Sequence, residues 1–234
     1  MRALLAALLL AACGQASSSP PPHPRDDVHV LTGMPLFWGE AGVGGILQGE
    51  GAGRSPLIDA LDKQWALHPL DVARDETLAP VRLLLIIQPQ ALAPDELVAL
   101  DAWVRAGGTA LFLLDPDLRW PSRLRPGDPR RAPVRAMLDP LLAHWGLALE
   151  ANAASEPEWV TLAGKKVETE SAGHWRVTGD DCRVIEPLVA QCRLGQGRVT
   201  LVADVDFADP ARAAAGAAGW RAIDSLLAQL QRKD

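Results

Sequence analysis

Two continuous apolar runs separated by one amphipathic segment constrain this chain more than anything else in it. VRLLLIIQP (81–89) and TALFLLDPD (109–117) hold too many consecutive apolar residues for strands with one wet face. Each reads as a strand buried on both sides of a parallel sheet. Between them, APDELVALDAWVRAGG (93–108) carries apolar residues at helical spacing, acids in its first turn and glycines at its end. Strand, helix, strand in this order is a right-handed βαβ unit, and the predicted fold class is α/β.

The flanking sequence extends the unit. VHVLTG (28–33) reads as a short strand, followed by a glycine-rich stretch that lacks the GK[ST] of a phosphate loop and reads as a flexible loop. Ser55 is placed to cap a helix, with Pro56 at its first position and LIDALDKQW (57–65) carrying the apolar period. HPLDVA (68–73) is predicted as a strand and VRAMLDPLLAHWG (134–146) as a helix. Residues 147–194 change to short alternating runs, predicted to form a small β-rich insertion or an added antiparallel edge. GRVTLVADVDF (197–207) returns to the central sheet, and the segment to residue 231 closes the chain as a helix. The α/β domain is thus expected over 28–146 and 195–232.

Ahead of it, Met1 and Arg2 precede ten residues of nothing but Ala and Leu, then Cys13. That is the layout of a signal peptide, far short of the roughly 20 apolar residues of a membrane span. Leu10-Ala11-Ala12-Cys13 resembles the lipobox of bacterial lipoproteins. The resemblance implies a signal peptide over 1–12, lipid on Cys13, and a location in the cell envelope facing the periplasm. Gly14 after the cysteine favours the outer membrane. The Pro- and Ser-rich residues 13–27 then form an extended tether.

Setting Cys13 aside leaves Cys182 and Cys192, an even pair, flanking RVIEPLVAQ. A hairpin centred near Pro187 puts the two thiols opposite each other, which predicts a structural disulfide. The spacing is wrong for a CxxC dithiol, and no histidine lies at ligand spacing from either thiol. A net charge of −6 without a long basic run speaks against nucleic acid as a partner.

Two segments resemble class I glutamine-amidotransferase-like domains that have lost their enzyme, of the auxiliary type in gliding-motility and ABC-exporter accessory proteins. In the first, Glu96, Leu97, Leu100, Trp103, Val104, Gly107, Gly108, Asp115 and Pro116 carry the likeness. In the second, Gly195, Gly197, Arg198, Val199, Asp204, Asp206 and Phe207 do. The resemblance implies a flavodoxin-like doubly wound sheet and an interaction role, with a membrane complex of ABC-type permease and ATPase as partner. Active members of the wider class place a cysteine on a strained strand-to-helix elbow. No cysteine here follows a buried central strand, so no catalytic residue and no cofactor is assigned.

Other chemistry is sparse. The five histidines show no HxH, HxxxH or HExxH spacing, and there is no G-x-S-x-G elbow. Ligands of open α/β sheets bind beyond the carboxyl ends of the strands. Here those ends carry Thr32, Gly33, Gln88, Asp115, Asp117, Asp204 and Asp206, a candidate ligand or partner edge. Clustered carboxylates can hold a divalent cation, but aspartates at strand ends also simply order loops, so no metal is assigned. The following loop, with Arg119, Trp120, Arg123 and Arg125, is a candidate partner surface, since Arg beside an aromatic suits interfaces. The expected function is a non-catalytic, lipid-anchored accessory protein. The alternatives are a metal-dependent hydrolase using the strand-end aspartates and a solute-binding lipoprotein.

Overall fold

The computed structural model describes residues 25–41, 47–48, 53–152, 156–211 and 213–232. Cys13, the signal peptide and most of the tether and the glycine-rich stretch lie outside the described residues. The elements in chain order are β1 (Asp26–Thr32), α1 (Pro56–Leu61), β2 (Trp65–Leu70), α2 (Asp75–Leu78), β3 (Leu83–Ile87), α3 (Pro94–Arg105), β4 (Thr109–Leu113) and α4 (Asp139–His144). They continue with β5 (Leu147–Ala151), β6 (Glu158–Leu162), β7 (Lys165–Thr169), β8 (Gly173–Val177), β9 (Cys182–Glu186), β10 (Val189–Leu194), β11 (Gly197–Val202) and α5 (Ala213–Gln231).

Seven strands form the central sheet in the order β2-β1-β3-β4-β11-β10-β9. The first five run parallel, and β10 and β9 add an antiparallel edge. The fold is α/β with a large, mostly parallel sheet. The apolar runs explain why β3 and β4 are central. Leu83, Leu85 and Ile87 pack in one core with α1 and α5, while Leu84 and Ile86 pack in a second core with Leu100 and Val104 of α3. Alternate side chains thus feed two hydrophobic layers, one on each face of the sheet.

The insertion is divided. β5 pairs with β8, and β6 with β7, as two small antiparallel ribbons. β9 and β10 instead join the central sheet, with Cys182 directly opposite Cys192 and the disulfide between them.

Several boundaries differ from expectation: the strand expected over 68–73 ends at Leu70, and the one expected over 197–207 ends at Val202. The helix expected over 134–146 is only α4, because Pro140 fits a first turn and not a helix interior, where it lacks a donor and clashes with the preceding turn. The helix expected to reach Trp65 stops at Leu61, and Trp65 opens β2, paired with Asp26 of β1. Its indole donates to Asp224 of α5 at 2.9 Å, which explains an apolar spacing that imitated one more helical turn. β1 also begins inside the expected tether, at Asp26.

The motif glycines mark close contacts. A β-carbon on Gly108 would lie 2.6 Å from the Trp103 ring, and one on Gly197 would lie 1.9 Å from the Val104 carbonyl oxygen. Arg198 beside it donates to the carbonyl of Leu230 at 2.8 Å and that of Arg232 at 3.3 Å, closing the last turn of α5. Asp26 and Gln231 line one groove at this amino-terminal end of the sheet.

Candidate functional site

The opposite, carboxyl end of the sheet gathers most of the candidate residues. β3 ends in Gln88, whose backbone takes a left-handed φ of 39°, uncommon for a non-glycine residue. Its buried amide behaves as an extra rung of sheet. Oε1 accepts from the Asp115 N–H at 2.8 Å, and Nε2 donates to the carbonyls of Asp115 at 3.1 Å and Pro133 at 2.9 Å. Gln88 therefore sets the exit of β4 and anchors the arginine loop.

Asp115 follows β4, and Asp204 and Asp206 follow β11. Since β4 and β11 are paired neighbours, the three carboxylates converge, with one oxygen from each within 4.8 Å of the others. All three are at most 1% exposed. Backbone groups hold each in place. Asp115 accepts from the N–H of Asp117 at 2.8 Å and of Val205 at 3.3 Å, Asp204 from Asp206 at 3.0 Å, and Asp206 from Arg119 at 3.0 Å.

The roof comes from the insertion. Ser171, just past β7, donates to Asp206 and lies 3.3 Å from Asp115 Oδ1. Thr169, the last residue of β7, is buried and faces Asp204. Neither Thr169 Oγ1 nor Asp204 Oδ2 has a hydrogen-bond partner of normal geometry. Burial, then repulsion from Asp204 and Asp206, pushes the Asp115 carboxyl up to about 9. Burial likewise raises Asp204, to about 6, against the Thr169 hydroxyl, which favours its ionised form.

The candidate edge is therefore not one open surface. Gln88, Asp115, Asp204 and Asp206 are sealed beneath the insertion and touch no bulk solvent, so they cannot contact a partner directly. Asp117 is half-buried beside them. Thr32 and Gly33 lie one strand over, at the point between β1 and β3 where the sheet order reverses. There they line an open groove of about 280 Å³ with Trp38, Gln90 and Arg130. The Thr32 hydroxyl is engaged locally, donating to the Ile87 carbonyl at 2.8 Å and accepting from the Met34 N–H.

In the arginine loop, the side chains of Arg119, Arg123 and Arg125 are exposed, while Trp120 packs against the core. The loop is ordered from beneath, by Asp206 through the Arg119 N–H and by Glu40, which accepts from the Arg123 N–H at 2.9 Å. Sequence reasoning missed Ser171 and Thr169. They alternate with acids in KKVETES, which reads as a solvated ribbon and carries no signal of its own.

Fold and site together define a mixed α/β domain whose strand-end carboxylates are enclosed and whose cationic loop is displayed. Residues 36–158, more than half of the chain, match the family described as an ABC-type uncharacterized transport system, and the chain belongs to this ABC-transport auxiliary family. Membership points to an accessory role with a transport system. No curated protein matches the chain in sequence.

Among solved structures, the mmIFT52 N-terminal domain is similar with a TM-score of 0.54 at 12% identity, over 89% of this chain and 98% of that one. Cytoplasmic Protein STM3548 from Salmonella typhimurium gives 0.52 at 12% identity, over 76% and 86%. Exo-beta-1,4-mannosidase Op5Man5 from Opitutaceae bacterium strain TAV5 gives 0.51 at 16% identity, over 90% of this chain, which spans 37% of the mannosidase. At these identities the likeness shows the fold alone.

Proposed function

We propose that this protein is a non-catalytic accessory of an ABC-type transport system, held in the periplasm by lipid on Cys13 and displaying its arginine loop to a membrane-embedded partner. The family match over residues 36–158 carries the reading. The order of the parallel strands, β2-β1-β3-β4-β11 with helices on both faces, supports the flavodoxin-like, amidotransferase-like form of the fold. In that form the strained position after a central strand holds the nucleophile. Here the left-handed residue after β3 is Gln88, whose amide is spent on backbone groups. The sealed carboxylates count against the hydrolase alternative, because a substrate has no path to them. A disulfide suits an oxidising compartment, and the Leu10–Cys13 pattern supports the anchor, outer membrane favoured.

The test is co-purification from membranes with a tag after Asp234. Permease and ATPase subunits should be recovered with the wild type. Replacing Arg119, Arg123 and Arg125 with Ala should weaken that capture while each exposed change alters stability by no more than about 0.5 kcal/mol. Recovery of the protein alone, or hydrolysis of glutamine or a phosphoester that disappears in Asp204→Asn, would overturn the proposal.

A further inference from the structure

We infer that β9, the antiparallel edge of the central sheet, pairs with β9 of a second copy of this chain, joining two seven-stranded sheets across a twofold axis at Val184. Among the described residues β9 pairs with β10 alone, so its other side presents main-chain groups with no strand beside them. The alternation along the strand says which groups these are. The Arg193 N–H donates to the Asp181 carbonyl at 2.9 Å, so residue 181 turns its main chain toward β10. Arg183, two residues on, does the same, while Cys182 and Val184 turn theirs outward.

The two edges of the sheet are unlike. Natural sheets blunt an exposed edge with proline, lysine or a cover. β2 carries Pro69, which has no N–H to offer. β9, CRVIE, has neither proline nor lysine, and its Val184 and Ile185 are 45% and 42% exposed. The disulfide to β10 holds this edge in place. An unprotected edge does not by itself name its occupant; the charge pattern does.

β9 contains a bulge. Val184 faces Ala190 and Glu186 faces Val189, leaving Ile185 as the extra residue. Along the ladder, Arg183 and Glu186 therefore stand one step to either side of Val184. Arg183 faces Gln191, two residues from Val189, so the arginine and the glutamate share one face of the sheet. An antiparallel copy centred on Val184 sets Arg183 directly opposite Glu186 of the partner subunit, and Glu186 opposite Arg183 of the partner subunit. Two reciprocal ion pairs then flank the axis, which is the self-complementarity a twofold contact requires. Arg183 is exposed, and Glu186 is half-buried and held by accepting from the Ala163 N–H at 3.2 Å.

The strands of the two copies run in opposite directions, so their arginine loops stand at opposite ends of the joined sheet. The twelve residues from Cys13 to Pro24 reach about 37 Å when extended as polyproline II. That exceeds the length of a strand, so the anchor proposed on Cys13 is compatible with the pair.

The experiment measures the mass of the full chain in detergent solution by sedimentation equilibrium, with thermal unfolding of each variant as a check on the fold. The wild type should sediment as a dimer that dissociates on dilution. Arg183→Glu and Glu186→Arg each set like charges opposite each other on both sides of the axis, and each should weaken dimerisation about tenfold or more. The double reversal restores both pairs and should recover the dimer. Glu186 also ties down Ala163, so should its replacement unfold the chain, Val184→Pro serves instead. The Val184 N–H faces outward, so proline breaks no bond of the β10 ladder while removing the central bond of the pair. A monomeric wild type would overturn the inference and leave the edge to an extended segment of a different protein. A dimer indifferent to both Arg183→Glu and Val184→Pro would place the contact elsewhere and overturn it equally. So would a folded double variant that stays monomeric.

Discussion

Gly197 at the start of β11 meets Val104 in the last turn of α3 so closely that a β-carbon on it would stand 1.9 Å from the Val104 carbonyl oxygen. The obstacle is backbone, which cannot swing aside as a side-chain tip does. Gly197→Ala should therefore destabilise the protein by about 3 kcal/mol, at the upper end of overpacking effects. Denaturant unfolding checks it, and an unchanged midpoint would mean that strand and helix do not meet in this way.

The Cys182–Cys192 bridge closes a short loop across β9 and β10. In the chain-entropy picture it contributes about 2–3 kcal/mol. Reduction should lower the unfolding midpoint correspondingly, and non-reducing peptide mapping should recover the two cysteines linked. Two free thiols in oxidised protein would contradict the pairing.

Asp101 ties α3 to α4. Burial alone would raise its carboxyl, but the hydrogen bond from the Trp145 indole, then Arg105 and His144, together hold it below the usual aspartate range. The stability it contributes is therefore present above the unfolded value of about 3.9 and is lost as pH falls through the lower folded value. Asp101→Asn should unfold at lower temperature than wild type at pH 6, with the gap closing below pH 4. A gap that widens toward acid would give the sign the lie.

The proposed lipid anchor rests on Cys13, so Cys13→Ser should abolish labelling by a fatty-acid probe and leave unprocessed or released protein. Continued labelling of the variant would sink the anchor.

The central strands were legible because an apolar run bounded by prolines has few alternative fates, and β3 and β4 lie where it puts them. Trp65 was not legible as a strand residue. Its spacing from Leu61 is helical, and only its partner Asp224, far along the chain, shows which period governs it. The site divides in the same way. Asp115, Asp204 and Asp206 could be named because strand ends are predictable, and the parallel pairing of β4 with β11 then brings them together. Thr169 and Ser171 could not, since their burial depends on how a short ribbon folds back over the sheet edge, and nothing local encodes that. The motif residues Glu96, Gly108, Gly197 and Arg198 mark contacts between helix ends and strand ends. Glu96, for one, accepts from the N–H groups of both Ala73 and Ala93.

β1 starts at Asp26 and α5 finishes at Gln231 beside the same groove, at the pole where Arg198 closes the last helix. The arginine loop and the enclosed acids occupy the other pole, about 20 Å away along β1 at the rise of an extended chain. The first strand and the last helix thus meet at one end of the domain, and the proposed partner loop stands at the other. The anchor proposed on Cys13 would therefore load the first parallel strand along its length, in shear against its two neighbours, with the cationic loop at the far end from the attachment.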